Sequence, residues 1–414
     1  VKNQADKLQS PSGPGSGTGD VGGAKKRRHQ AAIVLHYFPH YRSAVMHKLA
    51  ESTEHDYCFL ADLTDPHRFG IKGSTITEHP RFHRLKTWRL WKVFFHPGLL
   101  AWALGRKVDT LVITSVPYCL SYWIVPLIAR ARGKRVIFWT IGWIHDERGP
   151  KNWLRVIFNS LANSMLLYGH NAKQLALQRG FRADRMHVVY NSLDYAEQCK
   201  AREQVTPEVI RQTRQELFAE LERPLLVCCS RLQAHRQLNL VIEAMGILKK
   251  QGRPANLLLI GDGPELERLR AQGREADVDV HFFGACYDET VLARLIMASD
   301  LTVAPGMVGL TAMQSLAYGT PVLTHDDIFN QSPESDSLEP GVTGQLFRYR
   351  DVDDLALKIR EWFERPVDRE ETRKKCFSII ERFYNPDFQV RVVNRAVSGL
   401  PADDIFWMRE NPPE

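Results

Sequence analysis

The strongest constraint on the fold is an alternation that runs through most of the chain: a short apolar run of strand length, a polar or glycine-containing turn, then a stretch with helical spacing. "AAIVLHYF" leads into "SAVMHKLAES", "TLVITS" into "YWIVPLIARARG", "RVIFWT" into "WLRVIFNSLAN" and "SMLLYG" into "NAKQLALQRG", before "HVVYN" ends the series. Short strands separated by amphipathic helices predict a parallel sheet with helices on both faces. From Asp194 to Glu222 the pattern gives way to the polar "TPEVIRQTRQELFAELE", read as a linker with one exposed helix. The alternation then restarts with "PLLVCCS", "NLLLIG", "VHFFG", "LTVAPG" and "TPVLTH" as strands. The stretch "TRKKCFSIIERFYNPDFQVRVVNRAVSGL" exceeds what the second sheet needs, and predicts a long C-terminal helix returning to the first domain.

The expected fold class is therefore α/β: two doubly wound, Rossmann-like domains facing across a cleft. The expected boundaries are 1–30 for a basic tail, 31–194 for the first domain, 195–222 for the linker, 223–385 for the second domain and 386–414 for the crossover helix and tail. A length of 414 residues suits two domains, and 44% hydrophobic with 25% charged residues suits buried cores. The Gly/Ser/Pro-rich start has no periodicity, and its six Lys/Arg against two Asp supply more than half of the net charge of +7. No apolar segment near the N-terminus precedes a small-residue cleavage site, so no signal peptide is expected. The seven cysteines are scattered and odd in number, which predicts reduced thiols in a cytoplasm. Thr110 to Ala129 is uncharged over the length of a membrane span, but two prolines and a Ser/Tyr cluster divide it into strand, turn and helix.

In open α/β sheets the ligand lies beyond the carboxyl ends of the strands, where the strand order reverses, so chemistry is expected in strand-to-helix turns. Three turns qualify. In "CCSRLQAHRQLNLVIEA" Arg231 closes a strand and Arg236 precedes a helix; fixed guanidinium cations suit a diphosphate, and equally suit snorkelling at a surface. In "LLIGDGPELERL" Gly261, Asp262 and Gly263 allow close backbone approach, and Pro264 starts a helix. In "APGMVGLTAMQSLAYGTPVLTH" no charge occurs between Asp300 and Asp326, and a helix begins near Gly309, Leu310 and Thr311. Its first amides form an anion site, while Ala312, Ser315, Ala317 and Gly319 suit a tightly buried helix.

Taken in this order and spacing, the three turns and "GVTGQLF" resemble the nucleotide-sugar domain of family-4 glycosyltransferases of the bacterial polysaccharide-biosynthesis type. The resemblance is dense from Pro224 to about Phe363 and loose from Ala31 to Asp194. It implies the GT-B fold, a metal-independent hexosyl transfer with retention, and a UDP- or GDP-linked sugar as co-substrate with no other cofactor. Arg231 matches the residue that binds the donor diphosphate, and Arg236 stands where most members have Lys. Gly309, Leu310 and Thr311 match the helix start that meets the phosphates, and Glu334 matches a recurrent acidic position. Two departures stand out. The family's paired glutamates are Gly306 and Gln314 here, of which only Gln314 keeps a side chain able to bond a ribose diol. Where relatives often show Trp-Gly-His-Gly, this chain has "WTIGWIHDERG", with Ile141 at the usual histidine and His145 four residues on, either reaching the cleft or serving as an ordinary loop residue.

The resemblance suggests front-face attack, in which cations and amides stabilise the departing phosphate and align the acceptor. No Asp-x-Asp lies at a strand end, so no metal is expected. The acceptor side is read from "RFHRLKTWRLWKVFFHPGLLAWAL", Arg81 to Leu104, whose interleaved basic and aromatic residues suit either an anionic membrane surface presenting a lipid-linked saccharide or a helix pair with snorkelling cations. A peripheral place on the inner face of the membrane follows from the first reading. No groove-reading element is expected, so nucleic acid is not a predicted partner. The rival classes are a decayed nucleotide-sugar-binding scaffold and a GT-B-like nucleotide-sugar epimerase or phosphorylase.

Overall fold

The computed structural model describes residues 28–64, 72–91, 93–143, 146, 149–366 and 368–403; most of the expected basic tail and His145 lie outside these. The first half forms β1 (Gln30–Val34), α1 (Ser43–Ala50), β2 (Asp56–Ala61), β3 (Phe82–Arg84), a hairpin of β4 (Trp88–Leu90) and β5 (Val93–Phe95), and α2 (Leu99–Leu104). It continues with β6 (Thr110–Thr114), α3 (Ser121–Ala131), β7 (Arg135–Thr140), α4 (Pro150–Ser160), β8 (Ser164–Leu167), α5 (His170–Leu177) and β9 (Met186–Val188). Seven of these strands pair in the order β3-β2-β1-β6-β7-β8-β9, all parallel. Central strands such as "TLVIT" are apolar on both faces because helices cover both sides of the sheet.

The second half runs through α6 (Tyr195–Glu203), α7 (Pro207–Leu217), β10 (Leu225–Cys229), α8 (Asn239–Lys250), β11 (Asn256–Ile260), α9 (Leu266–Glu275), β12 (Asp279–Gly284) and α10 (Glu289–Ala298). There follow β13 (Leu301–Ala304), α11 (Leu310–Ala317), β14 (Val322–His325), β15 (Gly344–Phe347), α12 (Val352–Glu364), α13 (Arg369–Phe383) and α14 (Pro386–Ser398). Its six-stranded parallel sheet has the order β12-β11-β10-β13-β14-β15. Strand order reverses between β1 and β6 in one sheet and between β10 and β13 in the other, so the loops leaving those strands are where a ligand crevice belongs.

Three expectations change in detail. The linker holds two helices rather than one exposed helix: α6 and α7 pack on α10, and Arg214 of α7 is paired with Asp300 at 3.1 Å, both side chains 15% exposed. A polar sequence hid that packing, because Arg214 also donates to backbone oxygens of Ala298, Leu221 and Arg223. The segment Arg81 to Leu104 is not a helix pair but β3, the hairpin and one short helix, with Trp91 in the left-handed region at the hairpin turn. The C-terminal helix is two helices, because Pro386 cannot continue α13 and instead occupies the first turn of α14, whose N-cap Asn385 accepts from the Phe388 amide.

The crossover is nevertheless made. Along α14 Asn394 accepts from the Tyr57 hydroxyl at 2.6 Å, Gln389 accepts from Ser192 at 2.6 Å, and Gln389 Nε2 donates to the Tyr190 carbonyl at 2.9 Å. One hydrophobic core contains β1, α1, α11, α13 and α14 residues together, joining the two domains below the cleft. Thr110 to Ala129 is β6, a turn and α3, and no helix of the described residues is long and apolar enough to cross a membrane.

Candidate functional site

The loops after β10, β11 and β13 stack against one another, and glycines make this stacking possible. A Cβ on Gly261 would lie 1.9 Å from the Ser230 carbonyl oxygen, and one on Gly263 would lie 2.4 Å from that of Leu232. The amide of Leu232 bonds the Asp262 carbonyl at 3.0 Å, and Asp262 Oδ1 accepts the Gly263 amide at 2.7 Å. The close approach that these glycines permit is therefore to the chain's own Arg231 loop, which they hold in place. Arg231 is exposed at the end of β10.

Gly306 has the same character. Its Cβ would lie 2.5 Å from the His235 carbonyl oxygen and 2.9 Å from Arg236 Cα, so the turn before α8 occupies the space that a side chain at 306 would enter. The glycine here is a condition of the local fold. Gln314 is half-buried on α11 and engaged within the domain, its Oε1 accepting from Cys229 Sγ at 3.7 Å. Burial raises the Glu289 pKa above its usual 4.5, and the hydrogen bond from Tyr318 opposes that rise.

The N-terminus of α11 is the most chemically unusual point. Gly309 is its N-cap with φ +56°, a backbone that favours glycine, and its amide donates to Ser332 Oγ at 2.7 Å. The Val308 amide donates to Gln331 Oε1 at 2.7 Å. Of the three positions expected to meet phosphate, Gly309 is thus capped by the protein, and the amides of Leu310 and Thr311 are the first-turn groups without an intrahelical acceptor. Thr311 Oγ1 is tied to the Cys229 carbonyl at 2.8 Å, so its hydroxyl anchors the helix to β10.

Beside this helix start lies Arg236. Its Nη1 donates to the Met307 carbonyl and is 3.8 Å from where a Gly309 Cβ would be, while its Nε is buried without a hydrogen-bond partner. Burial lowers its pKa, and Glu334 partly offsets that. A cation held at the positive end of a helix dipole, with one donor unspent, is an arrangement that an anion would complete.

The facing wall carries residues that sequence reasoning missed. Arg42, the residue before α1, donates to the Tyr168 hydroxyl and lies over the rings of Trp139 at 5.0 Å and Tyr168 at 5.3 Å. Burial lowers its pKa, opposed by Tyr41 and by Glu334 across the cleft. Glu334, buried, accepts from Asn191 Nδ2 of the first domain at 2.9 Å and acts electrostatically on both Arg42 and Arg236. Two residues on, Asp336 accepts the His170 amide at 2.7 Å, and His170 Nε2 shares a hydrogen bond with the Tyr190 hydroxyl. The signal for Arg42 was its position: it follows the first strand as Arg236 follows β10, each at a turn where strand order reverses. Ile141, the departure from the expected histidine, is exposed just beyond β7. Among the described residues no group of three or more His, Cys, Asp or Glu is placed to hold a metal ion.

Two facing, doubly wound domains joined by a C-terminal crossover helix define the GT-B fold, and Anabaena HepE in complex with UDP superposes with a TM-score of 0.67 over 90% of this chain and all of that one, at 16% identity. Residues 209–378 match the family described as glycosyl transferases group 1. The chain is 35% identical over 102 residues to a GDP-mannose-dependent alpha-(1-6)-phosphatidylinositol dimannoside mannosyltransferase of Mycobacterium tuberculosis, covering 24% of this chain and 26% of that protein. It is 21% identical over 314 residues to lipopolysaccharide 1,6-galactosyltransferase of Escherichia coli, covering 73% of this chain and 78% of that protein. The match to the mannosyltransferase thus spans about a quarter of that relative's length.

Proposed function

We propose that this protein transfers a sugar from a nucleoside-diphosphate sugar, UDP- or GDP-linked, to a saccharide acceptor, with retention of configuration and without a metal. The observation that carries the reading is Arg236, held at the start of α11 beside the Leu310 and Thr311 amides. A diphosphate there meets a fixed cation, two amides and a helix dipole, and Arg231 at the end of β10 adds a second cation from the same wall. As the sugar–phosphate bond breaks, these groups gain interaction with the oxygen that becomes charged, which is the differential binding that lowers a barrier. The acceptor hydroxyl approaches the face that the phosphate leaves and passes its proton to it, so no carboxylate nucleophile is required. Arg42 and Glu334 stand on either side of the cleft and align what enters it.

A second reading is supported by Gly306 and Gln314: with position 306 closed to any side chain and Gln314 engaged by Cys229 within its own domain, the protein would bind a nucleotide sugar without turning it over. Thermal stabilisation by UDP, GDP and ADP tests both readings, since no shift at millimolar nucleotide removes them together. Release of nucleoside diphosphate from a donor then separates them, because only the transferase produces it.

A further inference from the structure

Outside the cleft, the outer surface of the first domain combines two features that a soluble face does not need. Between residues 81 and 135 the chain carries eleven Lys/Arg and one acidic residue, Asp109, a local excess larger than the net +7 of the whole protein. The elements built from this segment also expose large apolar side chains. On α3 and the residue before it, Leu120, Ile124 and Leu127 recur at helical spacing and all face outward, although the same helix buries Tyr122, Val125 and Ala129. The hairpin presents Leu90 at 77% and Trp91 at 83% exposure.

These parts form one surface. The β5 strand is bonded to the residues leading into α3, Phe94 accepting the Leu120 amide at 3.0 Å, and α2 packs against α3 with Leu100 and Leu104 exposed. On the other side α4 lies next to α3, with Trp123 and Phe158 rings 4.7 Å apart and Arg130 Nη1 on the Ser160 carbonyl, and it exposes Trp153 and Leu154. Exposed cations border the apolar residues: Lys86 and Arg89 at the hairpin, Arg106 and Lys107 after α2, Arg130 on α3 and Lys151 on α4. Contiguous exposed apolar surface rimmed by polar groups marks a contact site, and apolar anchors with aromatic and cationic neighbours match the boundary between headgroups and acyl chains.

We propose that this face, formed by the hairpin and the outer sides of α2, α3 and α4, docks on an anionic phospholipid bilayer. Charge complementarity selects that occupant. A second copy of the chain would set one basic face against another, which like-charge repulsion opposes, whereas an anionic leaflet attracts each exposed cation. The placement also serves the cleft, because Phe94 of β5 lies 6.3 Å from His36, just past the end of β1, so a docked hairpin brings the bilayer to the rim of the cleft. Delivery of a lipid-linked acceptor there rests on the proposed transfer; membrane binding itself does not.

The test is vesicle flotation of the full chain with phosphatidylcholine alone and with about 30% phosphatidylglycerol, at about 0.1 M and 0.5 M salt. Wild type is expected to float with the anionic vesicles, to stay behind with the neutral ones, and to lose binding as salt rises. Leu90→Glu/Trp91→Glu and, separately, Ile124→Glu/Leu127→Glu are expected to weaken binding at least tenfold or so while keeping the wild-type circular dichroism melt, since the replaced side chains are exposed. Lys86→Ser/Arg89→Ser is expected to weaken it by roughly tenfold or more at low salt only. Failure of wild type to float, equal binding to neutral vesicles, or a wild-type dimer in sedimentation that Ile124→Glu/Leu127→Glu converts to monomer would overturn the proposal. Nucleotide affinity, measured on the same variants, is expected to stay at the wild-type value, so failure of the donor-site reading appears in wild type and is distinguishable from failure of docking.

Discussion

Arg236→Ala separates a binding residue from a structural one because the structure gives its two effects opposite weight. Without ligand, Arg236 contributes one hydrogen bond, to Met307, and sits half-buried at the positive end of α11 with its Nε unpartnered. The bond is worth about 1 kcal/mol, while the dipole opposes the cation by about 0.3–1 kcal/mol and burial adds a further cost. The unliganded protein is therefore expected to change in stability by less than about 1 kcal/mol in either direction. With a nucleoside diphosphate bound, the same guanidinium makes charge-assisted bonds worth about 1.5–3 kcal/mol, so the variant is expected to bind roughly 10- to 150-fold more weakly. Calorimetric titration with UDP and GDP reads the affinity, and urea denaturation without nucleotide reads the stability. At nucleotide equal to 100 times the wild-type Kd, the stabilisation by ligand should fall from about 2.7 kcal/mol to below about 1.5 kcal/mol. Wild-type affinity in the variant, or a loss above about 2 kcal/mol without ligand, would refute the assignment of Arg236 to the phosphates.

Gly306→Glu, which supplies the carboxylate that the family resemblance leads one to expect there, is expected to lower stability by about 1–3 kcal/mol and to gain no turnover, because its Cβ meets the His235 carbonyl oxygen at 2.5 Å; a denaturation curve and a donor-hydrolysis assay check both. Gly169→Ala places a Cβ 2.7 Å from Asp336 Oδ2 and 3.0 Å from Pro333 Cβ, so it should loosen the contact between the domains, increase the radius measured by small-angle scattering and cost about 1–3 kcal/mol. Burial lowers the pKa of His96, His170 and His187 from 6.5 to about 4, so between those values the unfolded chain holds more protons than the folded one. Stability is then fully present above pH 6.5 and should fall as pH drops towards 4, visible as a declining midpoint of urea unfolding, with a flat profile over that window contradicting the assignment.

The sheets were legible because a strand buried between two helical layers must be apolar and short, and each helix must show its own period; runs such as "TLVIT" and "NLLLI" state this locally. The glycine turns were legible as motifs, but not their reason. Gly261, Gly263 and Gly306 are required by the approach of neighbouring loops, a fact that resides in segments tens of residues away. Arg42 was hidden because one arginine in a polar turn has no periodicity, and only the facing domain gives it Glu334. Asn191 and Asp336 are likewise ordinary polar residues until the crossover helix sets the two domains against each other. The hairpin at Trp88 to Phe95 was misjudged because Trp88, Leu90 and Trp91 face outward and only Phe94 joins the core, so strand and helix patterns lose most of their link to it.

Sugar transfer is tested most directly by incubating the protein with a panel of nucleoside-diphosphate sugars and mixed saccharide acceptors and reading the released nucleotide and the product by mass spectrometry, with Arg236→Ala in parallel. Release of UDP or GDP from at least one donor is expected, together with an acceptor heavier by one sugar, both lost in the variant. Tight nucleotide binding with no release from any donor would contradict transfer and leave a nucleotide-sugar-binding protein.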